Sequence, residues 1–267
     1  MSVIIYMEED FVKMRKASAI ASEVLDYITD FVKVGVSTAY LDELCAKKTA
    51  ELGAVSAPLN YNPSGVNPYP KSTCISVNHV VCHGIPSDDK ILQNGDILNI
   101  DITAFYNGYY GDTSRMYYAG TPNVKGRILT EVTYECLMRA IDIVKPGVAL
   151  GDIGYAIQNY AESKGFSVVR AFCGHGVGKE FHGDPQVLHY GKKGQGMKLQ
   201  EGMIFTIEPM INAGKSDIIV SKINGWTATT RDKSLSAQFE HSIGVTKDGY
   251  EIFTLSKKGY TLPPYKS

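Results

Sequence analysis

The sequence of 267 residues has no apolar run long enough to cross a bilayer, and charge of neither sign predominates, with 27 basic and 28 acidic side chains. The balanced charge gives no indication of a nucleic-acid or anionic-lipid surface. The start lacks the basic segment and the apolar core of a signal peptide and turns acidic at Glu8, Glu9 and Asp10. These absences predict a cytoplasmic protein with no membrane association and no specific nucleic-acid partner.

Cysteine is sparse, odd in number and unsuited to a disulfide framework. No two of the five cysteines form a C-x-x-C pair, so we expect free thiols in a reducing compartment at Cys45, Cys74, Cys82, Cys136 and Cys173. The chain length allows one large domain or two small ones, and the apolar content is sufficient for a sizeable core.

What the sequence does contain is an internal repeat that ends in an acid. Residues 92–101 recur as residues 199–208 with five identical positions, and the last residue is Asp101 in one copy and Glu208 in the other. An isolated surface acid has no reason to recur in this way. The repeat therefore indicates a site shared between two related halves of the chain.

Apolar periodicity and stop signals predict four helices, over residues 9–32, 38–52, 126–144 and 150–164. In the third helix we expect an inward face formed by Ile128, Val132, Leu137, Ile141 and Val144. The helices repeat at an offset of 112 residues, close to the 107 residues of the acid strands. Two helix-turn-helix segments could resemble each other by chance. The nearly equal offsets instead favour two α+β halves, residues 9–120 and 121–255, within a single domain.

Residues 96–118 are predicted to form a hairpin with an Asn-Gly tip. A two-residue turn pairs Thr103 with Asp112 and Asp101 with Ser114, so the two acids lie diagonally on one face, about 7–8 Å apart. Carboxylates at this spacing on a half-buried strand repel each other unless a positive charge lies between them. Either a divalent cation fills this role, or both acids face water.

The second half has the corresponding acids. Glu208 ends the repeated strand, and residues 236–245 are predicted to form a later strand in which Glu240 shares a face with Gln238. A turn at 247–249 and a further strand over residues 251–255 follow. Because the halves are related, the four carboxylates are expected to converge on one site.

A histidine would complete a transition-metal site. His175 lies in a glycine-rich segment, where the backbone can approach other groups closely. Four carboxylates and one imidazole suit Mn, Fe, Co or Zn. Four acids are more than one divalent ion needs, so we expect two ions, bridged by Asp112 or Glu240, in a site of the kind that activates water for hydrolysis.

The other histidines are ambiguous from their local sequence. The sequence around His83 and His182 allows each of them either a surface position or a position in the site. His79, His189 and His241 are interpreted as surface residues, with His241 at most supporting a metal ligand from behind.

Six short motifs, in this order and spacing, resemble the type I methionine aminopeptidases of the bacterial kind, and the match covers nearly the whole chain. Each motif is weak alone, but together they are highly specific. They are Val81-Cys82-His83-Gly84-Ile85-Pro86, Asn99-Ile100-Asp101, Gly111-Asp112-Thr113-Ser114, Cys173-Gly174-His175-Gly176, Thr206-Ile207-Glu208-Pro209-Met210 and Gln238-Phe239-Glu240-His241.

The resemblance implies a pita-bread fold, with two pseudo-twofold-related halves around a central antiparallel sheet. It implies removal of the initiator methionine from nascent polypeptides, with a small second residue. His83 would lie by the scissile amide nitrogen, His182 would hydrogen-bond the substrate carbonyl, and Glu208 would shuttle a proton. The implied ligands of two divalent ions are Asp101, Asp112, His175, Glu208 and Glu240.

The resemblance also implies a methionine pocket, which is lined by Tyr61, Tyr69, Cys74, Phe181 and Trp226. An apolar pocket with a polarizable thiol suits a thioether side chain. Residues 60–70 depart from the family pattern, because this stretch is several residues longer than usual. Its Pro, Asn and Gly content predicts a loop at the rim of the pocket.

Two alternatives stay open. One is a related pita-bread X-Pro aminopeptidase or prolidase, whose members usually carry an additional N-terminal domain. The other is a pita-bread binding protein without catalysis, in which metal ligands are usually missing. We expect a monomer that meets its nascent substrates at the ribosome.

Overall fold

The computed structural model describes residues 3–265 and has a mixed α and β architecture in that range. Its α-helices are α1 (Glu8–Ile28), α2 (Thr38–Glu51), α3 (Val124–Asp142) and α4 (Leu150–Ser163), and a 3₁₀ turn, Thr29–Phe31, follows α1. The strands are β1 (Val55–Ser56), β2 (Cys74–Val77), β3 (Val80–Cys82), β4 (Asp96–Tyr106), β5 (Tyr109–Ala119), β6 (Ser167–Val168), β7 (Gly174–Gly176), β8 (Gly183–Val187), β9 (Ile204–Ile207), β10 (Met210–Asn212), β11 (Ile218–Val220), β12 (Ala228–Thr230), β13 (Ser236–Gln238), β14 (His241–Val245) and β15 (Tyr250–Ile252).

The four predicted helices are confirmed to within a few residues at each end. The Ser37 hydroxyl accepts the Tyr40 N–H at the start of α2, and left-handed Gly53 and Gly165 follow the ends of α2 and α4. One predicted core position is wrong, because Ile128 is 40% exposed while Leu129 is fully buried. The buried stripe of α3 runs through Leu129, and Ile128 lies on the solvent side of it. Among residues 3–265, no helix is long and apolar enough to cross a membrane.

Within residues 3–265, all of the strand pairs are antiparallel, and the strands form four sheets. β1, β2 and β5 pair with β4; β6, β10 and β13 form a second sheet; β3, β12 and β11 form a third; and β15, β14, β9, β7 and β8 form the fourth. The register of the β4–β5 hairpin is as predicted, with Thr103 opposite Asp112 and Asp101 opposite Ser114. Together with the comparisons below, this architecture confirms the α+β fold class.

The prediction of one strand over residues 236–245 is wrong, because the strand divides into β13 and β14 around Glu240. The neighbouring strand of the same chain is interrupted at the same place, between β9 and β10, where Pro209 has no N–H to donate to a ladder. The Glu240 N–H donates instead to Ser114 O at 3.1 Å. The last strand is also shorter than predicted, since β15 ends at Ile252.

The pairs on each side of this break keep one register, with Ile207 opposite His241 and Met210 opposite Gln238. Glu208 and Glu240 are therefore directly opposite each other, whereas Asp101 and Asp112 are diagonal. The acids correspond between the halves, but the two pairs differ in geometry.

The acid strands of the two halves meet along a seam of polar contacts. Asn99 Nδ2 donates to Gln238 O at 2.8 Å, Thr113 Oγ1 donates to Glu240 O at 2.7 Å, and Ser242 Oγ donates to Asp112 O at 2.7 Å. On either side of this seam lies an apolar core, one packed against α1 and α2 and the other against α3 and α4. The four acids thus lie between two rigid, buried layers.

Candidate active site

A single cavity of about 470 Å³ is lined by all twelve residues that the sequence proposes for the site. They come from both halves, from strands and from loops, and they lie far apart in the sequence. They are Tyr61, Tyr69, Cys74, His83, Asp101, Asp112, His175, Phe181, His182, Glu208, Trp226 and Glu240. The structure brings these side chains together, and their roles stay predictions.

The acids and His175 form a compact group of oxygen and nitrogen donors. One donor atom each of Asp112, His175 and Glu240 lies within 4.8 Å of the other two. His175 Nε2 is 3.7 Å from Asp112 Oδ2 and 3.5 Å from Glu208 Oε1. Asp101 Oδ1 is buried and has no hydrogen-bond partner among the described residues. A buried oxygen without a partner is costly unless a ligand satisfies it.

His175 is placed by close backbone packing around β7, as its glycine-rich sequence predicts. A Cβ on Gly174 would lie 2.3 Å from Thr206 O, and one on Gly176 would lie 2.0 Å from Asp184 O. The His175 ring lies 3.1 Å from the Gly176 carbonyl through Nδ1. A carbonyl oxygen only accepts, so Nδ1 carries the proton and Nε2 presents a lone pair to the acids.

The carboxyl groups share one electrostatic environment. Burial, followed by the charges of neighbouring acids, raises the pKa of Asp101, Glu208 and Glu240 well above the ordinary range. Burial raises the pKa of Asp112 to about 7, against the opposing effect of hydrogen bonds from Thr103 and Thr113. Raised pKa values favour the protonated form of these groups unless a cation compensates the charge of the carboxylates.

The histidines of the cavity are neutral at physiological pH. Burial lowers the pKa of His83 and of His175 to about 4. The pKa of His182, which is exposed at the cavity mouth, is lowered by partial desolvation of its ring and then by the neighbouring His175 and His83. A neutral imidazole can ligate a metal or both donate and accept a hydrogen bond.

Several supporting residues were not recognised from the sequence. Glu208 is held at three points: Thr206 Oγ1 donates to Oε1 at 3.0 Å, Gln238 Nε2 donates to Oε2 at 3.1 Å, and its own N–H donates to His189 Nε2 at 3.2 Å. Alternation along the predicted strand placed Gln238 on the same face as Glu240, and this pattern could have identified Gln238 as a supporting residue. No local pattern identifies His189, because it lies in a loop after β8.

The interpretation of His189 and His241 as surface residues is wrong, since His189 is fully buried and His241 is 8% exposed. Burial lowers the pKa of each to about 3, so both are neutral. His241 Nδ1 lies 2.8 Å from Thr254 Oγ1, on the side of its strand opposite Glu240. Their burial follows from packing between distant elements.

Aromatic rings form the wall of the cavity next to the acids. Tyr61 contacts Phe181 with ring centroids 4.8 Å apart, and Tyr69 meets Trp226 edge to face at 5.3 Å. Cys74 is buried beside them, and burial raises the pKa of its thiol well above the ordinary value, so the thiol is uncharged. This part of the cavity is an apolar pocket.

Comparison with known proteins assigns the chain to a family. The model of metallopeptidase family M24 matches residues 12–247. The methionine aminopeptidase of Rickettsia prowazekii is 58% identical over 99% of this chain and 100% of its own length. That of Escherichia coli strain K12 is 52% identical over 98% of this chain and 97% of its own length.

Solved structures agree with the sequence comparison. The crystal structure of the methionine aminopeptidase from R. prowazekii matches 95% of this chain and 100% of its own with a TM-score of 0.92. The prolidase from Pyrococcus furiosus matches with a TM-score of 0.75 at 25% identity, and only 65% of its chain is covered. These matches confirm the pita-bread fold. The chain belongs to metallopeptidase family M24 and, within it, to the methionine aminopeptidases.

Proposed function

We propose that this chain is a metal-dependent aminopeptidase that hydrolyses the first peptide bond and releases the N-terminal methionine, and that residues 1–267 form one catalytic domain. The observation that carries the proposal is the shared cavity, in which four carboxyl groups and His175 adjoin an apolar pocket. The relatives that are methionine aminopeptidases, at 52% and 58% identity over nearly the whole chain, support the same function.

The donor set fits divalent cations. Four carboxyl groups with raised pKa values, an unpartnered Asp101 oxygen and an Nε2 lone pair on His175 all gain from a positive charge between them. We propose two ions of Mn, Fe, Co or Zn, held by Asp101, Asp112, His175, Glu208 and Glu240. When bound, such ions would lower the pKa of water and stabilise developing negative charge.

The apolar pocket would bind the methionine side chain. Tyr61, Tyr69, Phe181 and Trp226 supply ring surface, and the neutral Cys74 thiol adds a polarizable contact for a thioether. Because Tyr69 is 2% exposed and its hydroxyl lies 2.9 Å from Gly84 O, that wall is rigid. A rigid wall positions the scissile bond beside the acids.

Glu208 is the residue that we propose as proton carrier between the attacking water and the leaving amine. Hydrogen bonds from Thr206 and Gln238 hold its two oxygens, so the carboxyl group is oriented before substrate arrives. A carboxylate fixed in this way can accept a proton from water and pass it to the amine.

His83 and His182 would act as neutral hydrogen-bonding groups. We propose that His182 donates to the carbonyl oxygen of the scissile bond, where negative charge develops, and that His83 lies by the amide nitrogen. The lowered pKa of each ring keeps it uncharged, so it does not compete with cations for the acids. A positioned donor of this kind typically contributes about 10²–10³ in rate.

We extend the proposal to initiator methionines of nascent polypeptides with a small second residue, a contact with the ribosome, a monomeric state and a cytoplasmic location. The five cysteines are free thiols, which supports a reducing compartment.

The test is release of methionine from Met-Ala-Ser by protein reconstituted with Mn or Co. Asp101→Asn and Glu208→Gln are each expected to lower the rate by more than about 100-fold, because a ligand and, in Glu208, a proton carrier are lost. Glu131→Gln, on the exposed face of α3, is the matched control and should retain full activity. Full activity in either site variant would contradict the proposal.

The same preparation separates the alternatives. Hydrolysis of Ala-Pro peptides in preference to Met-Ala peptides would indicate an X-Pro aminopeptidase or prolidase. Absence of any metal-dependent hydrolysis, with metal bound, would indicate a binding protein.

A further inference from the structure

Residues 62–68 form a loop at the cavity rim that is closed on itself at its base. The Asn60 N–H donates to Tyr69 O and the Tyr69 N–H donates to Tyr61 O, each at 2.8 Å. Within this segment, which we name the rim loop, most residues are exposed, and Val66 is 74% exposed. A loop with joined ends and an exposed tip is a compact unit on a fixed base.

The base of the rim loop is anchored in the first half of the molecule. Tyr69 is buried, its hydroxyl lies within hydrogen-bonding distance of Thr73 O and Gly84 O, and its ring packs edge-on against Trp226. The loop therefore cannot shift as a whole without disturbing the pocket wall.

The tip of the rim loop reaches the second half. Trp226 Nε1–H donates to the Asn67 carbonyl oxygen at 3.0 Å, between residues 159 positions apart. Asn67 also packs closely on the adjoining backbone, since a Cβ on Gly225 would lie 3.1 Å from Asn67 Nδ2. An indole N–H is a donor only, so this bond fixes both the position and the orientation of the ring.

Without that bond, the indole would be held mainly by ring contacts. Its neighbours are Tyr69 at 5.3 Å, His83 at 6.1 Å and Tyr61 at 6.4 Å between centroids. Trp226 is half-buried and lines the cavity, and so does Pro63 of the rim loop. A change in the loop would alter the shape of the pocket through Trp226.

We propose that the rim loop is a specificity element, which fixes Trp226 through the Asn67 carbonyl and thereby limits the pocket to unbranched side chains of the length of methionine. The inference rests on the proposed aminopeptidase function. It goes beyond that function in assigning selectivity to a segment that touches neither the acids nor His175.

The decisive variant replaces residues 62–68 with Asn-Gly. Because the Tyr69 N–H already donates to Tyr61 O, a two-residue turn can join these ends. Trp226 is the only tryptophan of the chain, so its fluorescence reports the bond directly and without any assay of catalysis. Release of the ring is expected to lower its fluorescence anisotropy and to raise acrylamide quenching at least about twofold.

The kinetic expectation is a loss of selectivity. In the shortened variant, the ratio of kcat/KM for Met-Ala-Ser to that for Leu-Ala-Ser should fall at least about tenfold, since one methylene or branch is worth about 10–200-fold in a tight pocket. The affinity for Mn should stay within about twofold of wild type, because the acids and His175 are untouched. Val66→Ser, at the exposed tip, is the control and should change neither measurement.

A double-mutant cycle shows whether the loop acts through Trp226. Trp226→Phe keeps an aromatic ring but removes the N–H donor, and it should reduce selectivity about as much as loop shortening. Combining both changes should add less than about twofold further, because they remove one interaction.

Unchanged quenching in the shortened variant, or unchanged selectivity in Trp226→Phe, would overturn the proposal, as would fully additive effects. The Trp226→Phe arm applies even where the shortened chain does not fold. If wild-type protein released no methionine, the aminopeptidase proposal would fail instead, while the fluorescence result would still decide whether the bond exists.

Discussion

At the scale of single residues, buried groups with shifted pKa values define the site. The acids have raised pKa values and the histidines lowered ones, and in each case burial is the largest cause. Both shifts reduce charge in the metal-free protein. The site is therefore stable in its neutral form and gains most from a bound cation.

His189 supports the backbone of Glu208, and its removal should cost stability. His189→Leu leaves the Glu208 N–H buried without an acceptor, which typically costs about 1–3 kcal/mol. His189→Gln, whose amide oxygen can accept, should recover part of the loss. Urea unfolding of the metal-free proteins measures the free energies, and equal stability of the Leu variant and wild type would contradict this role.

The stability of the metal-free protein should fall as pH rises from 6.5 to 8. The pKa of Asp112 rises from about 3.9 in the unfolded chain to about 7 in the folded one. Its stabilising contribution is complete at low pH and is lost as pH rises through the folded value. The histidine pKa values are lowered, so their contribution is already complete above about pH 6.5.

Urea unfolding in EDTA at the two pH values tests this directly. Saturating Mn should remove the fall, because the ion binds the ionised carboxylates. Asp112→Asn should reduce the fall in EDTA. A metal-free protein whose stability rises over this range would rule out the assigned protonation.

At the scale of elements, interruptions of the strands place two of the four acids, Glu208 and Glu240. Glu208 follows β9 and Glu240 precedes β14, at the point where the pairing between the strands of the second half is interrupted. Their backbones are thus released from regular pairing, and Glu240 pairs with Ser114 across the seam. The helices, in contrast, contribute mainly the cores behind the strands.

Gly176 is the element-scale position at which a side chain cannot fit. A Cβ would lie 2.0 Å from Asp184 O in β8, so Gly176→Ala must push β7 and β8 apart and displace His175. We expect a loss of about 1–3 kcal/mol and a weakened affinity for Mn. Gly249→Ala is the control, because no atom lies within 4 Å of its Cβ, and it should stay within about 0.5 kcal/mol of wild type. Calorimetry of both variants measures the change in stability of each.

At the scale of the whole molecule, the site is a product of two halves held in register. Asn99, Thr113 and Ser242 donate across the seam beside the four acids. The order helix, helix, strands occurs once on each side of this seam. Both copies of the 92–101 repeat also begin with a buried leucine and a left-handed glycine, at Gly95 and Gly202.

Thr113→Val should reveal the coupling between the seam and the site. The substitution keeps the shape but removes the donor to Glu240 O, at a cost of about 1–3 kcal/mol. It should also weaken Mn binding about tenfold, which is within the range typical of replacing a residue that supports a metal ligand. Thr133→Val removes a buried hydroxyl within α3 and should leave Mn affinity unchanged. Equal Mn affinity in the two variants would contradict the coupling.

The sequence alone determined the helices, the hairpin register and the acids that share a face, because periodicity, caps and an Asn-Gly turn act over a few residues. The family motifs added the proposed ligand set, all of whose members line one cavity. Only the tertiary structure decided the break beside Pro209, the burial of His189 and the bond from Trp226 to Asn67. These depend on segments far apart in the chain, and their packing is specified by three-dimensional contact rather than by any local pattern.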